Sequence, residues 1–420
     1  MKQTPTHIAS SITINSLRFM LAMVFMFSGF VKAIDPMGTV YKMADYAEAF
    51  GWGTDIPMGM LFAAASTLII IEYIIGTSLF FGLYRRFYLW LMIAFLGVMT
   101  PLTLYIAVTN PISDCGCFGE AITLTNWQTF GKNLFLLATA IVTLRYNQLI
   151  KRLIPEHSQW FIFVYALGTI ILFMGYNLRH LPIADFRPYH IGANIIDKMT
   201  IPDDAPQNEY ETLFVYEKDG EKRTFTFDEY PDSTWTFVSR ESKLIAKGYE
   251  PPIKDFRLTD MGGNDLTMDI LEHPHYTCLM IAERLEYANE GMLDVINDLY
   301  AYTRSNNIPF YMVTTSNRES INQWTEHTGA LYPYLQADAN LLRTMIRANL
   351  GLILLHNGTI VGKWSSRDIP RDKQLNESIE NNTALTITSD TRHYRQLVAV
   401  VWMIIPLLLI CLWTGRRRKE

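Results

Sequence analysis

Long apolar runs fill residues 11 to 178 and 397 to 413, and the stretch between them mixes short apolar segments with charged ones. A helix needs roughly 20 apolar residues to cross a bilayer core. Six runs approach that length: about Ile12 to Ala33, Met58 to Leu83, Tyr88 to Val108, Phe130 to Leu144, Trp160 to Leu178 and Leu397 to Trp413. Lys132 and Asn133 shorten the apolar core of the fourth. The first run lacks a small-x-small exit before Asp35-Pro36 and is followed by further spans, so it reads as an uncleaved helix rather than a signal peptide. The pattern predicts an α-helical membrane bundle of six transmembrane helices, with a large domain between the fifth and the sixth.

Inside that domain the period changes. Tyr276 to Ala282 and Pro309 to Thr314 are continuous apolar segments of strand length, and Met292, Val295, Ile296 and Leu299 repeat at helical spacing. A helix is predicted from about Glu319 to Thr328. Gly351 to Leu355 and Thr359 to Trp364 then flank Asn357-Gly358, the dipeptide that favours a two-residue hairpin turn. Upstream, Thr212 to Tyr216 and Arg223 to Phe227 around Asp219-Gly220 predict a second hairpin. The expected division is 1–150 for a four-span membrane domain, 151–178 for a fifth helix and 179–250 for a β-rich connecting region. An α/β domain over 251–375, a linker over 376–396 and a last helix with a basic tail over 397–420 complete it.

Charge orients this arrangement. Arg85, Arg86, Arg145, Lys151, Arg152 and the run Arg416, Arg417, Arg418 and Lys419 fall on one side of the predicted bundle, which is therefore expected to be cytoplasmic. Opposite loops carry Asp35, Asp45, Glu48 and Asp55 against Lys42, and the loop with Asp114, Cys115, Cys117 and Glu120 has no lysine or arginine. The expectation is a multi-pass protein of a bacterial inner membrane, with both termini cytoplasmic and the large domain periplasmic. A net charge of -5 and a polar segment without a basic patch leave no footprint for nucleic acid.

Four cysteines in 420 residues are too few for a disulfide scaffold, so spacing matters more than number. Cys115-Gly116-Cys117 holds two of them, and the central glycine lets the backbone bend until the sulfurs meet. The ring they would close is small, and departures from relaxed disulfide geometry make such a bond easier to reduce. Three readings fit the pair: a redox-active dithiol, a static loop disulfide, and a soft-metal site such as one for copper(I). The metal reading lacks a third ligand nearby, since no histidine lies between residues 8 and 156.

Ser28-Gly29-Phe30-Val31-Lys32-Ala33-Ile34-Asp35-Pro36 at the end of the first run, Glu72 within the second, and Asp114-Cys115-Gly116-Cys117-Phe118-Gly119 before the fourth resemble the DoxX and MauE group of four-span membrane proteins over roughly residues 10 to 150. MauE-like proteins are associated with methylamine utilisation and with disulfide formation in methylamine dehydrogenase, so the resemblance implies thiol redox work. The order strand, helix, strand, helix and closing hairpin over roughly 250 to 370 resembles a membrane-tethered thioredoxin-like domain. It departs from that family at the reactive positions: Glu283-Arg284-Leu285-Glu286 stands where the family has Cys-x-x-Cys, and Arg347-Ala348-Asn349-Leu350-Gly351 has no proline where the family has its cis-proline. Cys278 lies inside a predicted buried strand.

Glu72 is a carboxylate deep in a span, where ionisable residues are costly and usually functional. Arg18 is the expected partner in a structural ion pair, counted along the helices at about 1.5 Å per residue, with a proton-handling role for Glu72 as the alternative. Lys32 is expected to snorkel to the outer interface, with the alternative of lowering a nearby thiol pKa. The resulting expectation is an envelope thiol-disulfide protein in which Cys115 and Cys117 cycle and the outer domain docks a client or redox partner. Its rival is a membrane scaffold with a fixed Cys115–Cys117 disulfide. The sequence shows no quinone, flavin or haem motif and so names no cofactor.

Overall fold

A computed structural model describes residues 5–52, 56–112, 114–218, 220–226, 231–246, 248–329 and 331–369, with Val398. The first segment is a helical bundle of α1 (Pro5–Ile34), α2 (Pro36–Ala49), α3 (Met58–Phe81), α4 (Arg85–Thr109), a short strand β1 (Cys117–Glu120), α5 (Asn126–Arg145) and α6 (Gln159–Arg179). Among the described residues, four helices are long and apolar enough to cross a membrane: Ala9–Ile34 within α1, then α3, α4, and Glu156–Arg179, which contains α6. The fourth predicted span is the helix α5, started by a capping box between Thr125 and Gln128. It does not meet the same apolar standard, because it turns polar residues inward: Asn133 is buried and donates to Thr103 of α4 at 3.3 Å. The sixth predicted span, with Cys411, lies outside the described residues, as does the linker over 376–396.

Residues 36–49, expected as part of a loop, form α2. Asp35 accepts from the Gly38 amide as N-cap, Pro36 takes the first helical position where its missing N–H is no loss, and Val40 and Ala47 are buried at helical spacing. Helix α1 packs antiparallel along α3 at close range. A Cβ at Gly29 would stand 2.7 Å from the Tyr73 nitrogen, and one at Gly76 would stand 2.4 Å from the Met26 nitrogen. Glycine is required at both crossings, and together they fix the register between the two helices.

The second segment is α/β. After α7 (Ile195–Met199), strands β2 (Glu209–Lys218), β3 (Glu221–Phe225) and β4 (Thr236–Ala246) form an antiparallel sheet in the order β3-β2-β4. The hairpin was legible in the sequence. Strand β4 was not, since Arg240, Glu241 and Lys243 interrupt its apolar alternation.

Next come β5 (Thr259–Asp260), α8 (Thr267–Leu271), β6 (Tyr276–Ala282), α9 (Leu293–Ser305), β7 (Phe310–Thr314) and α10 (Arg318–Thr328). The chain then continues through β8 (Tyr334–Gln336), α11 (Ala339–Met345), β9 (Gly351–His356) and β10 (Thr359–Ser365). They build a six-stranded sheet in the order β10-β9-β6-β7-β8-β5, with β6, β7 and β8 parallel and β9 antiparallel to β6.

Every residue of β6 is buried, which is why its sequence reads as an unbroken apolar run. Alternate residues face opposite cores. Cys278 and Met280 join Ile296 and Leu299 of α9, while Leu279 and Ile281 join Leu342 and Met345 of α11. Asn357 and Gly358 turn the last hairpin with φ of 46° and 71°, the paired positive values of the expected tight turn.

The chain leaving α6 is stitched to this sheet. Ile195 donates to the Gly358 carbonyl at 2.8 Å and Ile360 to that of Ala193 at 2.9 Å. Asp185 lies between Lys363 (2.7 Å) and Arg187 (2.8 Å), all three nearly buried. Burial alone would raise the Asp185 carboxyl, but the two cations outweigh it and hold the group well below the usual carboxylate range.

Candidate functional site

The cysteine pair sits in the connection between α4 and α5. Asn126 closes the base of that connection by donating to the Asn110 side chain and the Ile112 carbonyl, both at 2.8 Å. Within it, Asp114 accepts from the Gly116 amide at 2.9 Å, an Asx-turn that starts the bend. Gly116 has φ +64°, and a Cβ there would also meet the Lys42 side chain at 3.0 Å, so the middle position of Cys-x-Cys favours glycine. Lys42 of α2 pairs with Asp114 at 3.2 Å, and Tyr46, one helical turn on, donates to the Cys115 carbonyl at 3.0 Å. The unanticipated helix α2 therefore holds the loop from above.

From below, the loop meets a buried polar group inside the bundle. Lys32 and Glu72 pair at 2.6 Å with side chains 6% and 5% exposed. Ser28 lies 2.8 Å from Glu72 Oε2 and 2.7 Å from the Cys117 carbonyl, and Lys32 donates to its hydroxyl at 3.3 Å. A serine has one hydroxyl proton, so Ser28 serves Glu72 or the Cys117 carbonyl at any one time. Ser28 thus links the ion pair to the backbone of the thiol loop.

This corrects the expected Arg18–Glu72 pair. The α1–α3 crossing sets Glu72 opposite the Ser28–Lys32 turn, about 18 Å along α1 from Arg18, beyond the reach of an arginine side chain. Arg18 instead donates to the Lys151 carbonyl at 2.7 Å and lies 4.2 Å from the Phe19 ring centre, at the opposite end of the bundle. Lys32 is buried rather than snorkelling, because Glu72 and Ser28 receive its ammonium inside the fold.

The two thiols are chemically unequal. The hydrogen bond from Cys115 lowers the Cys117 thiol, burial opposes it, and the Lys132 and Lys32 ammonium groups add to the lowering. The same hydrogen bond, together with burial, pushes Cys115 up. Cys117 is therefore the group positioned to become the thiolate, the nucleophile of thiol exchange. Phe118 buries its ring beside Phe27, with the Lys132 ammonium 4.5 Å above it, and Gly119 continues the turn at φ +54°. Cys278 stands apart, wholly buried in β6, where burial pushes its thiol up to about 12.

Beside the thiols opens a cavity of about 920 Å³, within the range of small-molecule sites. Cys115, Cys117, Lys32 and Glu72 line it, together with Leu68 of α3 and Phe95 and Met99 of α4.

The α/β segment covers the end of the bundle that holds the thiol loop. Arg347, its side chain 6% exposed, pairs with Asp35 at 2.9 Å and Glu120 at 3.4 Å. Glu283, at the end of β6, holds Arg343 at 2.6 Å, and both arginines stack on Tyr41 of α2 at 4.8 and 5.2 Å. A cis peptide joins Asn349 to Leu350 at the start of β9.

Residues 10–145 match the family model of the methylamine utilisation protein MauE. That MauE-like region contains α1 to α5 with the thiol loop, Ser28, Lys32 and Glu72. A second model, a domain of unknown function (DUF8463), matches residues 210–247, the three-stranded sheet. No curated protein matches the chain. Among solved structures, a candidate protein disulfide isomerase from Bacteroides thetaiotaomicron is similar to 30% of this chain over 86% of its own length, at 17% identity and a TM-score of 0.25, a likeness too slight to bear on the fold.

Sequence reasoning placed Cys115, Cys117, Asp114, Lys32 and Glu72 in the site and wrongly added Arg18. It missed the roles of Lys42, Tyr46, Lys132 and Arg347. A signal for α2 was present in Asp35-Pro36, an N-cap followed by proline. Nothing local marks Arg347, whose partners lie 312 and 227 residues away.

Proposed function

We propose that this chain is a membrane thiol-disulfide oxidoreductase component whose reactive pair is Cys115 and Cys117. The observation that carries the proposal is the asymmetry of that pair: two hydrogen-bonded thiols, one lowered by its partner and by lysines, lining a cavity in a helical bundle. A loop disulfide with only a structural role needs neither that electrostatic setting nor the cavity. Cys117 attacks as the thiolate and Cys115 resolves the mixed disulfide.

The sheet order, with parallel β6 and β7, antiparallel β9 and a closing hairpin, supports a thioredoxin-like reading of the α/β segment. On that reading the edge that carries the reactive pair in active members carries Glu283 here, and it rests through Arg343 on α2 above the membrane thiols. The domain then serves as a docking cover for a client or redox partner, while the chemistry stays in the bundle. The thiol loop and the α/β segment share one end of the bundle, and the one-sided arginine and lysine loops support placing that end outside the cytoplasmic membrane.

Thiol trapping in cells tests the proposal. Cys115 and Cys117 are expected as a mixture of dithiol and disulfide that shifts when envelope oxidants are removed, and Cys117→Ala or Cys115→Ala is expected to abolish the shift. A pair that stays fully oxidised under every condition supports the static disulfide instead.

A further inference from the structure

The electrons of a closing disulfide must go somewhere, and the cavity indicates where. It is lined by the thiol loop, by residues of α3 and α4, and by Pro182 to Pro188 after α6. Its lining along α3 and α4 is apolar, with Leu61, Leu68, Phe95, Leu96 and Met99, and it includes the exposed Ala64, which lies on a helix long enough to span a membrane. A water-soluble oxidant gains little from such walls. A flat, apolar, membrane-dissolved oxidant gains from all of them. At the thiol end the character changes: the Lys132 ammonium lies over Phe118 with no carboxylate within ion-pair distance among the described residues, and the Lys32–Glu72 pair is next to it.

We propose that this cavity is a site for a lipid-soluble quinone, which accepts the electrons of the Cys115–Cys117 dithiol. The proposal rests on the thiol-redox reading above. The Cys117 thiolate adds to the quinone ring, and Lys132 stabilises the negative charge that develops on the ring oxygen. Cys115 Sγ then attacks Cys117 Sγ, the sulfur–carbon bond breaks, and the ring leaves as the quinol. Two S–H bonds are lost, one S–S bond forms, and two electrons and two protons pass to the quinone. Lys32 and Glu72, joined through Ser28 to the thiol loop, provide buried groups by which the protons can move.

The test uses the full-length protein, reduced and freed of reductant, in detergent without oxygen. Decyl-ubiquinone and menadione are the probes, with quinone absorbance and free thiols followed together. Quinol is expected in equal number to the Cys115–Cys117 pairs that close. Leu68→Trp, which fills the cavity, should raise the half-saturating quinone concentration by at least roughly tenfold, the lower range for a misfit in an apolar pocket. Ala64→Trp, on the exposed rim and tolerant of bulk, should raise it by less and guards against a folding defect in the first variant.

If diamide, a water-soluble thiol oxidant, closes the pair but neither quinone does, the quinone site is overturned and the thiol reading stands. If neither diamide nor quinone closes it, the thiol reading itself falls. If both tryptophan variants match the wild type in half-saturation, the quinone reacts from outside the cavity and the assignment of this site is wrong.

Discussion

Replacing Lys32 with methionine leaves the Glu72 carboxylate inside the bundle with the Ser28 hydroxyl as its remaining hydrogen-bond partner among the described residues. Both charged groups are about 95% covered by protein, so the lost interaction is recovered from water only as far as the adjoining cavity admits it. Breaking a buried pair from one side costs about 3–5 kcal/mol, whereas replacing both partners removes the stranded charge as well. For a fold stable by about 5–15 kcal/mol, that single change consumes a large fraction of the margin. It corresponds to a roughly hundredfold to several-thousandfold change in the folded ratio, at 1.4 kcal/mol per decade. Lys32→Met and Glu72→Gln should each lower membrane abundance and the thermal aggregation midpoint in detergent, and the double variant should recover most of the midpoint. Arg18→Met combined with Glu72→Gln is the control, and its effects should simply add because the two sites share no contact. Strong coupling of Glu72 to Arg18, with none to Lys32, would refute the assignment.

Three further outcomes are expected. Because the hydrogen bond from Cys115 is the largest influence lowering the Cys117 thiol, Cys115→Ala should move the pH midpoint of Cys117 alkylation upward and Cys115→Ser, which keeps a donor, should move it less; an unchanged midpoint in both would contradict the asymmetry. Cys278, its thiol pushed up to about 12 by burial, should resist iodoacetamide at neutral pH in the folded protein, and Cys278→Ala should cost only about 1 kcal/mol, read as a small drop in the thermal midpoint. Asp185→Asn strands Lys363 and Arg187, both 3% exposed, and should destabilise by about 3–5 kcal/mol, with Lys363→Met in the same background restoring part. The Asp185 carboxyl is held below its ordinary value, so its stabilising contribution is present at neutral pH and lost only as the pH falls below the usual carboxylate range.

The sheet was legible because its strands announce themselves locally. The run Tyr276 to Ala282 was bounded to the residue, and Asn357-Gly358 marked the hairpin. The thiol loop was legible for the same reason, since its two cysteines are separated by one glycine. What the sequence hid depends on register between distant elements. Glu72 could be recognised as needing a cation, but two candidates lay on α1, and counting from uncertain helix ends chose the wrong one; the glycines at 29 and 76, which fix the crossing, were readable only once the helices were in contact. Helix α2 was obscured by acidic residues that resemble an outer loop. The fourth predicted span was placed correctly as a helix, while its polar residues answered to the bundle interior rather than to lipid.

The clasp formed by Arg347 on Asp35 and Glu120 carries a consequence for biosynthesis. Chains emerge from the ribosome at about 5–20 residues per second, and roughly 200 residues separate the end of α5 from Arg347, so the helices that frame the thiols are made about 10–40 s before the residue that fastens the cover over them. During that interval Asp35 and Glu120 are without the arginine that pairs with both. Fastening of the cover is thereby placed after formation of the thiol loop by the position of one guanidinium late in the chain.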